Sequence, residues 1–134
     1  MKKVSAEYSP ATLDRLELLR VAERAGVRVF SSAERMLRLV DRLSCTITLR
    51  NGGIPMPATR VTEDPEEALR AAREFGAVVL KPLYSTKARG MCVVDLADGE
   101  AAARSTIQAF RASNPVMYVQ RRIELPGQDL GLVI

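Results

Sequence analysis

The sequence predicts an α+β fold: a small antiparallel sheet with flanking helices, preceded by a helical segment. Three observations carry that expectation. Up to about Gly53 the apolar residues recur at helical spacing, and beyond it short apolar β runs alternate with helices. The β runs at 77–81, 91–95 and 116–120 are joined by one loop and one helix-bearing return, which favours antiparallel pairing. The length, 134 residues, suits one domain or a piece of a larger one.

Each element has a local reason. Ser9 caps the first helix and Pro10 takes its first position. Leu13, Leu16, Leu19 and Ala22 make its apolar face, and Gly26 stops it. Val27-Arg28-Val29-Phe30 reads as a short strand. Ser31 and Glu34 have the spacing of a capping box. Met36, Val40, Leu43 and Ile47 then lie on one helical stripe, broken near Asp41 and ended by Asn51-Gly52-Gly53. Pro55 and Pro57 forbid a helix in the segment that follows, which is read as extended. Asp64, Pro65, Glu66 and Glu67 form a strong helix start, with acids at the positive end of the dipole; the helix runs to Phe75 and stops at Gly76. Residues 98–113 make a further helix that buries Ala103, Ile107 and Phe110. The last residues, Asp129-Leu130-Gly131-Leu132-Val133-Ile134, look like another strand. Since a strand needs a partner for its backbone groups, the chain is expected to be a piece of a longer enzyme, with this strand able to pair two copies. The organisation expected is a helical lead-in over 1–53 and an α+β unit over 54–134.

Composition narrows the chemistry. Apolar residues are 47% and charged residues 27%, enough for a packed core. No apolar run approaches the roughly 20 residues of a membrane helix. The start, MKKVSAEYSP, lacks the apolar stretch of a secretion signal, so a cytoplasmic protein without a membrane partner is expected. Cys45 and Cys92 sit in apolar segments and read as free core thiols. Histidine is absent, which excludes Ser-His-Asp and Cys-His catalysis, and two cysteines cannot complete the usual zinc shell. The net charge of +4 permits a phosphate-bearing partner without pointing to nucleic acid, and three Tyr, three Phe and no Trp supply no stacking motif for RNA.

Two acid-free stretches stand out. In 78–90, VVLKPLYSTKARG, Lys81 ends an apolar strand and a loop of small and hydroxyl residues follows. A lysine there is costly unless an anion meets it, and loop N–H groups can wrap phosphate oxygens. Lys81 with Ser85, Thr86, Lys87 and Gly90 is therefore either a phosphate site or an exposed hairpin whose lysine reaches water. In 116–123, VMYVQRRI, a strand runs into Gln120, Arg121 and Arg122. At a sheet edge this segment would offer backbone hydrogen bonds to a purine; otherwise it is a solvated basic turn. Asp129 either accepts from a sugar hydroxyl or is a turn residue. Arg42, beside Asp41, reads by itself as a surface arginine. Glu17 with Arg20, and Glu66 with Arg70, have the spacing of surface pairs.

Taken in order, VFSSAERMLRLVDR, GIPMPAT, DPEEAL, VVLKPLYSTKARGM, YVQRRI and the Gly-x-Asp-Leu strand resemble the ATP-grasp superfamily, and within it the RimK-like carboxylate–amine (glutamate) ligases, from about Val27 to Ile134. The resemblance implies the front part of an ATP-grasp core: a nucleotide-binding subdomain with ATP held against a second subdomain. It implies an ADP-forming reaction in which a carboxylate is phosphorylated and an amine attacks the acyl phosphate. By position, Lys81 would touch the α- and β-phosphates, 85–90 would close over the β- and γ-phosphates, and Gln120, Arg121, Arg122 and Ile123 would form the hinge at the adenine. Asp129 would lie near the ribose, and Arg42 stands where the family has a second phosphate-binding lysine. Mg²⁺ is implied as well, with its ligands outside this chain, so these residues alone are expected to turn over little. The chain departs from the family pattern at Arg42, at a loop holding only Gly90, at Arg121 where a glutamate is common, and at Gly131 where an arginine often stands. The alternative is a non-catalytic nucleotide-binding or regulatory segment.

Overall fold

The computed structural model describes residues 9–85, 88–125 and 127. Three helices come first, α1 (Pro10–Arg24), α2 (Ala33–Val40) and α3 (Arg42–Asn51). Then follow β1 (Thr59–Thr62), α4 (Pro65–Phe75), β2 (Val78–Lys81), β3 (Cys92–Val94), α5 (Glu100–Ser113) and β4 (Met117–Arg121), with a 3₁₀ turn at Leu96–Asp98 before α5.

Helix starts follow their caps. The Ser9 hydroxyl accepts from the Thr12 N–H at 3.2 Å. Asp41 ends α2 and caps α3, its carboxylate accepting from the Leu43 N–H at 2.9 Å and the Ser44 hydroxyl at 2.6 Å. Asp64 does the same for α4, accepting from the Glu66 N–H at 2.9 Å. At the far end of α4, Gly76 has φ 78° and ψ −133°, a conformation that a side chain would strain.

Several expectations are corrected. Residues 27–30 form no strand; Val27 is 56% and Phe30 77% exposed, and no sheet strand pairs with them. Their alternation has no ladder to join. Ser32, not Ser31, caps α2, because Ser31 adopts φ 62° and leaves the Ser32 hydroxyl to accept from the Arg35 N–H at 3.4 Å. Glu34 pairs with Arg38 instead, at 2.5 Å. Arg70 turns to Glu67 and Asp64, while Glu66 meets Arg104 of α5. The Glu17–Arg20 pair forms at 2.9 Å. The extended stretch after Pro57 becomes a paired strand, β1. Cys45 and Cys92 are free and half-buried; Cys92 packs against the core cluster, and Cys45 does not. The strand expected over 129–134 lies outside the described residues.

The sheet has the order β1-β4-β2-β3, with every neighbouring pair antiparallel. Side chains alternate between its faces. Val78, Leu80, Met117 and Val119 point to one face and pack with Ala68, Leu69 and Ala72 of α4 and Ile107 and Phe110 of α5. That face is the core. On the other face one row runs Thr59, Gln120, Val79, Val93, and the next runs Val61, Tyr118, Lys81. Helix α3 lies over this second face at Tyr118. None of the described helices is long and apolar enough to cross a membrane.

Candidate functional site

The sheet alternation that sends Met117 and Val119 into the core sends Tyr118 and Gln120 the other way, beside Lys81. Together with α3 and the start of the 82–85 loop they enclose a cavity of about 260 Å³. Its lining includes Arg42, Cys45 and Thr46 of α3, Met56, Lys81, Ser85, Tyr118 and Gln120. Two cations and several hydroxyls face it, and among the described residues no carboxylate lines it.

Lys81 is turned inward. Its ammonium donates to Gln120 Oε1 at 2.6 Å. The Gln120 amide nitrogen donates to Thr59 Oγ1 at 3.0 Å and to the Tyr118 hydroxyl at 3.3 Å. The Tyr118 hydroxyl in turn lies 2.8 Å from Thr46 Oγ1. Burial lowers the Lys81 pKa below its ordinary value, and the Arg42 charge lowers it further. An anion in the cavity would relieve both effects.

Arg42 is not a surface arginine. Its Nε donates to the Pro82 carbonyl at 2.9 Å and its Nη2 to the Ser85 hydroxyl at 3.0 Å. Its backbone N–H donates to the Leu83 carbonyl at 3.1 Å. The guanidinium also stands 5.9 Å from the Tyr118 ring centroid. Burial lowers its pKa, with Tyr118 and then Cys45 opposing. A planar fork suits this bridge between a helix start and a loop.

The fold thus brings Arg42, Lys81, Ser85 and Gln120 together. Arg121, Arg122 and Ile123 are exposed and do not line the cavity. The edge placement allowed for this segment is overturned: β4 lies between β1 and β2, and the Arg121 and Arg122 N–H groups donate to the Ala58 and Ala77 carbonyls, each at 2.8 Å. Gly90, at φ 68°, is exposed; a Cβ there would stand 3.2 Å from Pro82 Cγ, so glycine lets the loop return close over Pro82. Thr86, Lys87 and Asp129 lie outside the described residues. Sequence reading missed Thr46, Thr59 and Tyr118. The signal for Tyr118 was its two-residue spacing from Gln120 in an otherwise apolar strand.

The donor set suits a polyphosphate. It does not suit Mg²⁺: among the described residues no group of three or more acids, cysteines or histidines is placed to hold a metal.

Comparison with known proteins finds relatives that cover most of this chain. The chain is 29% identical over 124 residues to a tetrahydromethanopterin:α-L-glutamate ligase of Methanosarcina acetivorans, which covers 87% of this chain and 38% of the relative. It is 31% identical over 116 residues to a probable α-L-glutamate ligase of Parasynechococcus marenigrum, covering 84% of this chain and 24% of the relative. Among solved structures, a RimK domain ATP-grasp protein of Sphaerobacter thermophilus superposes with a TM-score of 0.67 at 26% identity, over 84% of this chain and 43% of that one. The chain therefore spans well under half the length of these curated relatives. No family model matches it.

Proposed function

We propose that this chain, an ATP-grasp segment of the RimK-like kind, holds the phosphates of ATP in the cavity between α3 and the open sheet face. The observation that carries the reading is the pair of cations there, Lys81 and Arg42, with no carboxylate among the described lining residues. Lys81 supplies the ammonium for phosphate oxygens. Arg42 steadies the loop at Pro82 and Ser85 and adds positive potential. Half-burial strengthens both interactions with an anion relative to bulk water.

The activity proposed for the whole protein is that of an ADP-forming ligase. Such an enzyme activates a carboxylate as an acyl phosphate and joins it to an amine; the glutamate ligases among the relatives support this class. When bound, Mg²⁺ would shield the β- and γ-phosphates. Its ligands, and the pockets for acid and amine, are proposed to lie beyond the described residues, and the setting proposed is the cytoplasm. Nucleotide binding without turnover is the second reading. The observation favouring it is that Arg42 is already engaged by loop acceptors.

Calorimetric titration with ATP tests the site. Lys81→Ala is expected to weaken binding by about 1.5–3 kcal/mol, the range for hydrogen bonds to charged groups. Equal affinity in parent and variant, with circular dichroism unchanged, would remove the assignment. ADP release that depends on an added acid and amine would separate ligase from binder.

A further inference from the structure

The hydroxyl protons around Gln120 fix which way its amide points. Thr59 Oγ1 donates to the Pro57 carbonyl at 2.8 Å, so its single proton is committed and it can only accept from Gln120. Thr46 Oγ1 likewise donates to the Arg42 carbonyl at 2.8 Å. The Tyr118 hydroxyl must then donate to Thr46, and it too accepts from Gln120. Both amide N–H groups of Gln120 therefore face Thr59 and Tyr118, and Oε1 faces Lys81. A flipped amide would set its NH₂ against an ammonium and its oxygen against two hydroxyls with no proton left to give.

We propose that Gln120 is the positioning residue for Lys81, the last member of a one-way hydrogen-bond relay that starts at the Pro57 and Arg42 carbonyls and ends on the ammonium. This rests on the reading of Lys81 as a phosphate ligand and deepens it. One ammonium proton is held by Gln120, and the rest are left for an anion. It gives the Gln120 side chain a duty beside the hinge role that the resemblance implied for residues 120–123. Gln120 is 7% exposed, so the relay is shielded from competing water. The charged and titratable groups lining the same cavity are Arg42 and Cys45 from α3 and Tyr118 from β4.

The test reads the titration of Lys81 directly, by competitive amine labelling with a mass-spectrometric readout and no nucleotide present. Gln120→Met removes the acceptor, so the Lys81 inflection should move to lower pH. Gln120→Glu sets a carboxylate against the ammonium, so it should move to higher pH. Opposite shifts at one position are not what loss of packing alone produces. Thr59→Val, which weakens the relay from outside the cavity, should move the inflection in the same direction as Gln120→Met and by less. Unmoved inflections, or shifts of one sign in both Gln120 variants, would overturn the relay. ATP titration is the second arm: Gln120→Met should bind roughly tenfold more weakly, the scale of a lost charge-assisted bond. If the parent fails to bind ATP while the opposite shifts appear, the phosphate reading fails and the relay stands.

Discussion

Lys81 sits where its charge is penalised, and that has a definite pH signature. Its pKa is lowered in the folded chain, by burial first and by Arg42 second. Between the folded and unfolded values, the unfolded chain still holds a proton that the folded chain has lost. This group's contribution to stability therefore rises with pH across that interval, and it is constant below it, where both states are protonated. Replacing the lysine with a side chain of similar length and no charge removes the dependence. We expect the parent to gain stability relative to Lys81→Met as pH climbs toward the ordinary lysine range near ~10.4. Denaturant unfolding of both proteins at matched pH values measures this. A difference that stays flat would mean that the ammonium feels no burial penalty.

At the scale of elements, Asp41 is the joint on which the site turns. It closes α2 and opens α3, and α3 begins with Arg42 and presents Thr46 one turn later. Asp41→Ala removes the acceptor for the Leu43 N–H and the Ser44 hydroxyl, and should cost about 1 kcal/mol, the usual loss for an N-cap. Asp41→Asn should recover most of it. Unfolding midpoints of the three proteins decide the matter; an alanine variant as stable as the parent would show that packing, not the cap, holds α3. This break was legible in the sequence, as were the Asp64-Pro65 start and Gly76 stop of α4, because caps and breakers act within a few residues. Less local facts were not. The alternation at 27–30 reads as a strand but finds no partner, and β1 hid behind two prolines until β4 supplied its ladder.

For the whole molecule, the burial pattern divides the chain unevenly. Among the described residues, the apolar cluster between the sheet and helices α4 and α5 contains none before Ala68. In the helical lead-in, the described buried residues are Thr12, Leu16, Ala33 and Thr46. Among the described residues, α3 ties this part to the sheet by the Thr46–Tyr118 hydrogen bond and the Arg42 bridge to the 82–85 loop. Lys81 stood out in the sequence because a cation ended an apolar strand. The relay did not, because Thr46 and Tyr118 are 72 residues apart and meet only when α3 folds back on β4. Regions with few buried apolar contacts open at lower free energy than the core. Native-state hydrogen exchange should therefore give the highest protection to amides of β2, β4, α4 and α5, with Leu80 and Val119 near the global value. Amides of α1 should exchange through a smaller opening that leaves the sheet intact. Mild denaturant, added below the unfolding transition, should accelerate the sheet amides more steeply than those of α1, since global unfolding exposes more surface. Protection in α1 equal to that of β2 at every denaturant concentration would instead make the lead-in and the sheet one cooperative unit, and the boundary near Gly53 would carry no energetic meaning.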